Sequence, residues 1–120
     1  MMPSVQQAFA AEMARARDGT AGGDRTSAWR ALERAHILSQ PFAWPHVRVH
    51  AAMLLFALRH GDWHEVAGQM PRLVLAAPAS LLGRAPRGNT GGTNVGILTP
   101  LPVPPDIEEI LQRGNKSIGE

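Results

Sequence analysis

The sequence predicts an all-α fold: a small four-helix bundle of tetratricopeptide-like antiparallel helix pairs, a long Pro/Gly-rich C-terminal arm and a short terminal helix. Three observations carry this expectation. Apolar residues recur at helical spacing in four successive segments before residue 82. Gly, Asp and Pro punctuate the gaps between those segments. Of the 12 Gly and 10 Pro, five of each fall between Gly83 and Pro105, a concentration that suits turns and extended chain rather than helix.

The first helix is expected over residues 3–17. Pro3 suits a first-turn position, where a missing N–H is harmless. Val5, Phe9, Met13 and Ala16 form one stripe, and Asp18-Gly19 with Gly22-Gly23 stop the helix. The second runs over 24–40, capped by Asp24 and closed by Pro41, with Ala28, Leu32, Ala35 and Leu38 on its apolar side. The third runs over 44–60, with Pro45 in its first turn and Gly61 at its end. Val49, Met53, Leu54, Ala57 and Leu58 form its buried face. The fourth starts at Asp62, where Asp62 and Glu65 have the spacing of a capping box. Val66, Met70, Leu73, Val74 and Ala77 continue its apolar stripe, and Pro71 predicts a kink or break. A terminal helix is expected over 106–113, docked by Ile107, Ile110 and Leu111, with Gly114 to Glu120 frayed.

Ala14 to Asp62 carries a weak internal echo, helix then Gly/Asp turn then amphipathic helix. Gly61-Asp62-Trp63 fits a tetratricopeptide turn, whereas the first copy fits poorly. Trp29, Trp44 and Trp63 sit near helix starts and read as core or boundary anchors. The domain reading is 1–82 for the bundle and 83–120 for the arm and short helix, packed together as one domain of 120 residues.

Composition narrows the chemistry. With Cys 0 there is no disulfide, thiolate nucleophile or thiolate metal site. Eleven of the twelve basic residues are Arg, yet the net charge is only +2. Glu12, Asp18, Asp24 and Glu33 interleave with the arginines of the first two helices, so no nucleic-acid footprint is expected. The longest apolar run, Ala51 to Leu58, is far short of a membrane span, and no leader is visible at Met1, so the expectation is a soluble, cytoplasmic protein.

The histidines are the most informative feature. His36, His46, His50, His60 and His64 all fall within one stretch. His46 and His50 are four apart, so they share a helix face and their imidazoles can reach one ion. Glu33 and His36 form Glu-x-x-His on the preceding helix, the pair used by di-iron carboxylate bundles. A short link between the two helices brings Glu33, His36, His46 and His50 together as candidate ligands for Zn, Cu, Ni or Fe. The competing reading is that His46 and His50 are partly buried and satisfied by hydrogen bonds to backbone or to Glu33. One Glu-x-x-His motif is too few for a dinuclear site. His64-Glu65 begins a zinc-protease motif, but position 68 is Gly, so the motif fails. No nucleophile elbow or phosphate loop is present. An enzyme would need His46 or His50 as base with Glu33 as orienter, and no substrate class is indicated.

The string Arg87-Gly88-Asn89-Thr90-Gly91-Gly92-Thr93-Asn94-Val95 admits three uses. It could present backbone N–H groups to an anion with Arg84 and Arg87, or pack over the bundle with Asn side chains mimicking backbone. The prolines that follow suit an extended arm, so residues 83–105 could hold a protein partner or a second copy in a homodimer.

Three strings, AWRALERAHILSQP at 28–41, HVRVH at 46–50 and GRAPRGNTGGTNV at 83–95, together resemble an uncharacterised bacterial family catalogued as domain of unknown function 3703. The resemblance covers about Ala14 to Leu111. It implies a setting beside heavy-metal resistance genes, which favours a metal without assigning a ligand. The leading expectation is therefore a small metal-binding protein with a His/Glu site between helices 2 and 3, accessory to heavy-metal handling. The alternative is an interaction or dimerisation module without metal.

Overall fold

The computed structural model describes residues 2–119. Among them there are five helices and no strand: α1 (Pro3–Ala21), α2 (Arg25–Ser39), α3 (Ala43–Arg59), α4 (Trp63–Leu81) and α5 (Pro105–Gly119). Links of three residues join α1 to α2, α2 to α3 and α3 to α4, short enough to fold each helix back along its predecessor. The closest pairings are α1 with α2 and α3 with α4, and α2 with α3 ties the two hairpins together.

Each helix end has a local cause. Pro3 occupies the first turn of α1. The Asp24 side chain accepts from Ser27 N–H, and that of Asp62 from Glu65 N–H, satisfying amides with no partner inside the helix. α1 runs past Asp18-Gly19 to Ala21, beyond the expected stop. Gly19 earns its place by packing: a Cβ there would lie 3.1 Å from Ala28 Cβ, so its absence lets α1 and α2 approach closely. α4 also continues through Pro71 and Pro78, where a kink or break was expected at Pro71. Both prolines are exposed, as are Ala67 and Val74 four residues earlier, so water can take the carbonyls the prolines leave without a donor.

Two apolar clusters hold the helices together. Phe9, Ala16, Ala31, Leu32, Ala35, Val49 and Met53 join α1, α2 and α3, with Trp29 and Phe56 packed alongside. Val5, Ile37, Leu38 and Ile107 join α1 and α2 to α5. α5 is longer than the short helix expected, and it does not end at Gly114; Glu120 lies outside the described residues. Glu12, nearly buried, pairs with Arg34, which also holds Asp106, so one guanidinium links α1, α2 and α5.

α4 departs from the expected pattern. Met70 and Val74, assigned to its buried stripe, are 53% and 73% exposed, and its buried residues are Glu65, Gln69, Ala76 and Ser80. The helix turns a polar face inward because that face serves buried histidines, described below. Leu58 on α3 is likewise exposed, and Trp44 and Trp63 face solvent rather than anchoring the core; only Trp29 packs inside, against Phe56.

Residues 82–104 hold no helix or strand and return across the bundle. Leu101 N–H donates to Arg87 O, Arg87 pairs with Glu108, and Val103 packs on the α5 cluster. No helix is long and apolar enough to cross a membrane among the described residues.

Candidate metal centre

His36 on α2 and His46 and His50 on α3 meet in the interior, each at most 4% exposed. Their Nε2 atoms converge: His36 to His50 is 3.0 Å, His46 to His36 is 3.1 Å and His50 to His46 is 3.2 Å. The three rings meet edge-on or tilted rather than stacked. The i,i+4 spacing of His46 and His50 accounts for two of the three, and the short α2–α3 link brings in the third.

The other ring nitrogen of each histidine has its own acceptor, and those acceptors set the tautomers. His36 Nδ1 lies 2.6 Å from Asn89 O, a backbone carbonyl that can only accept, so Nδ1 carries the proton. His50 Nδ1 lies 2.8 Å from Gln69 Oε1. The Gln69 amide is oriented by its Nε2, which donates to Glu65 Oε2 and to Gly91 O, each at 2.8 Å; its oxygen must therefore face the ring. His46 Nδ1 lies 3.1 Å from Ala76 O and 2.8 Å from Ser80 Oγ. Ser80 gives its own proton to Gln40 O, so it too accepts from the ring. All three Nδ1 atoms are donors, and all three Nε2 atoms present bare lone pairs to one another.

Electrostatics keeps them bare. Burial holds His46 to about 4, with the His50 ring adding to the shift. Burial likewise holds His50 to about 4, although its bond to Gln69 works the other way. Burial, then the His50 and His46 rings, push His36 well below the ordinary imidazole value. At neutral pH no proton fills the space between the three nitrogens.

The loop after α4 builds the outer wall. Asn89 donates from its side chain to Gly96 O at 3.0 Å and Thr99 O at 2.7 Å, and accepts from Gly91 N–H at 2.8 Å. It mimics backbone, and so fixes the carbonyl that receives His36. Gly91 has φ +87°, and a Cβ there would lie 2.7 Å from His36 Cδ2; only glycine meets both demands. Gly68, which defeats the zinc-protease motif, leaves room for the same loop: a Cβ would fall 1.6 Å from Thr93 Cγ2. Glu65 Oε1 accepts from the Thr93 hydroxyl at 2.9 Å and its Oε2 from Thr93 N–H at 3.0 Å. A carboxylate–amide–imidazole chain thus runs from Glu65 through Gln69 to His50.

Of the four ligands expected from the sequence, the structure brings His36, His46 and His50 together and leaves Glu33 apart. Glu33 faces Thr90 and Arg30, and burial raises its carboxyl above the ordinary value. His60 donates from Nδ1 to Phe56 O at 2.8 Å and His64 is exposed in the first turn of α4; neither joins the cluster. Among the described residues, the trio is the group of His and carboxylate side chains placed to hold an ion. Asn89 lies in the loop expected to pack over the bundle with Asn side chains mimicking backbone, and does so. Gln69 and Ser80, with Glu65 behind them, are supporting residues that sequence reading missed; their signal was polar residues at helical spacing, Glu65, Gln69, Arg72 and Ser80, in a mostly apolar helix.

A cavity of about 50 Å³ is lined by all three histidines together with Arg72, Leu75, Ala79, Pro86, Ile97 and Leu98. Arg72 donates to the carbonyls of Gly68 and Val95. It stands on α4 between Gln69 and Ala76, the acceptors of His50 and His46.

No curated protein and no solved structure matches the chain. The family described as "Protein of unknown function (DUF3703)" matches residues 3–111, which takes in all three histidines, the polar face of α4 and the loop that covers them. The chain belongs to that family.

Proposed function

We propose that the protein binds one transition-metal ion through Nε2 of His36, His46 and His50, and that its wider role is accessory to metal handling. The observation that carries this reading is the set of three bare lone pairs aimed at one buried point. Facing acceptors 3.0–3.2 Å apart repel one another, and buried polar atoms without a partner cost free energy. A cation at their centre removes both penalties. Metal-bound histidines characteristically give their other N–H to a carbonyl or carboxylate, which sets ring orientation and raises basicity. Asn89 O, Gln69 Oε1 and Ala76 O fill that part here.

The dimensions suit the ion. Nitrogens 3.0–3.2 Å apart could all reach one ion at the roughly 2.0–2.1 Å of a Zn–N bond. Three imidazoles would supply three of the four ligands such an ion takes and leave a position for another. Zn fits this donor set best, and Cu, Ni or Fe remain within its softness. Glu33 is not part of the proposed ligand set. Demetallated protein titrated with Zn, Cu, Ni and Co should take up one ion per chain, and His46→Ala plus His50→Ala should abolish uptake. Equal binding by the double variant would refute the assignment.

A second reading has an observation of its own. Trp63, Met70, Val74 and Leu81 are each more than half exposed and, with Ala67 and Ala77, repeat at the four-three spacing of a helix-pairing seam along α4. With helix pairs joined by Gly/Asp turns, this favours a tetratricopeptide-like module that dimerises through α4 rather than through residues 83–105. Light scattering of Met70→Glu plus Val74→Glu against the parent chain tests it; the same mass for both would count against it.

A further inference from the structure

Resting on the proposed metal reading, we infer that the site also takes a small inorganic anion as a further ligand of the ion, held by Arg72 and admitted beside Leu98. Three features of the wall point there. The first is charge. Three neutral imidazoles cancel none of the charge of a divalent ion, and Arg72 adds a cation to the same cavity. Its hydrogen bonds go to the carbonyls of Gly68 and Val95, so they do not neutralise it. Glu65 is bonded to Gln69 and Thr93 and does not line the cavity. Excess buried positive charge is costly unless paired, and a metal-bound anion beside a guanidinium supplies the missing negative charge.

The second is open coordination. Among the described residues only three side chains would hold the ion, and all three line the cavity. Three protein ligands with a vacant position is the arrangement of sites that exchange a ligand, in contrast to closed structural sites with four. The third is size and polarity. The cavity holds about 50 Å³, room for an ion and a ligand of a few heavy atoms, and far below the roughly 300 Å³ of an organic substrate site. Leu75, Ala79, Ile97 and Leu98 make most of its wall apolar, with Leu98 71% exposed at the rim. Such walls strengthen the attraction between an anion, the ion and Arg72.

Arg72 suits this part because α4 fixes it. It lies three residues after Gln69 and four before Ala76, on the face that holds His50 and His46. Its two backbone acceptors tie it to Gly68 and to the covering loop at Val95.

The test is an azide titration of the Co(II)-loaded full-length protein, read by visible absorption. The inference expects a saturable shift of the Co(II) bands with one azide per chain. Arg72→Gln should weaken azide binding at least tenfold while Co(II) uptake stays at one per chain, and Arg72→Lys should recover part of the loss. Co(II) uptake with bands that ignore azide, or with azide affinity unchanged in Arg72→Gln, would overturn the inference and leave the metal reading standing. Failure to bind Co(II) at all would overturn both.

Discussion

Replacing Gly91 with alanine perturbs the trio from outside its own residues. The added Cβ would sit 2.7 Å from Cδ2, 2.8 Å from Cγ and 3.0 Å from Nε2 of His36. Ordinary contact begins near 3.4 Å, so either the ring retreats by about 0.7 Å or the loop lifts by as much. Metal sites tolerate donor displacements of only about 0.2 Å. If the ring retreats, Nε2 leaves the point shared with His46 and His50. If the loop lifts, Gln69 loses its bond to Gly91 O and His36 its bond to Asn89 O. Either way metal affinity should fall about 10–100-fold, the usual effect of disturbing the groups behind metal-bound histidines. Alanine at φ +87° adds strain of about 1–2 kcal/mol, which should lower the melting temperature of the metal-free protein by roughly 5–10 °C. Gly83→Ala is the control: φ there is +67° with nothing within 4 Å of the added Cβ, so it should pay the backbone strain and keep the affinity. Chelator competition with Zn and thermal melting read both quantities. Affinity within twofold of the parent in Gly91→Ala, or an equal loss in Gly83→Ala, would refute the reasoning.

The remaining predictions concern pH, the supporting residues and the core. His46 and His50 titrate near 4 in the fold and near 6.5 when unfolded, so the unfolded chain takes up protons first as pH falls. Stability of the metal-free protein is full above about 6.5 and is lost as pH drops through about 4, by up to about 3 kcal/mol for each of these two histidines; far-UV circular dichroism against pH should show the loss, and His46→Gln plus His50→Gln should flatten it. Gln69→Leu removes the acceptor of His50 Nδ1–H and should lower Zn affinity about 10–100-fold in competition titrations; affinity equal to the parent's would contradict the carboxylate–amide–imidazole chain. Met53→Ala empties a fully buried position and should cost about 2–5 kcal/mol in urea unfolding, while saturating Zn still binds one ion per chain.

What the sequence made legible follows from where periodicity is a faithful signal. On α1 and α2 the inward faces are mostly apolar, with Glu12, His36 and Ser39 the buried exceptions, so Val5, Phe9, Leu32, Ala35 and Leu38 were readable as core. On α4 the same logic pointed the wrong way. Its inward face is Glu65, Gln69 and Ser80, its outward face includes Met70, Val74 and Leu81, and hydropathy alone inverts it. The His46–His50 pair was legible because four-residue spacing is geometry, and His36 because a short link places α2 beside α3. Glu33 stood apart because its carboxyl is taken up by Thr90 and Arg30, a placement that the Glu-x-x-His spacing does not reveal. Asn89 was legible as a backbone mimic in a loop over the bundle, but its link to His36 and the fit of Gly91 against that ring were not, because no periodicity relates a turn-rich loop to a ring 53 residues earlier in the chain. Glu65 looked like a capping residue; the Asp62 side chain caps the helix, and the Glu65 carboxylate is spent on Gln69 and Thr93.

In the proposed site, three Nδ1-protonated imidazoles aim bare Nε2 atoms at one ion. Long-range ¹⁵N–¹H correlation spectra of the histidine rings test it most directly, recorded at neutral pH without metal and after one equivalent of Zn. Before addition, His36, His46 and His50 should each show the neutral Nδ1–H tautomer. Afterwards the Nε2 resonances of those three alone should be displaced, with His60 and His64 unmoved. A ring of the trio protonated at Nε2, together with spectra that Zn leaves unchanged, would contradict it.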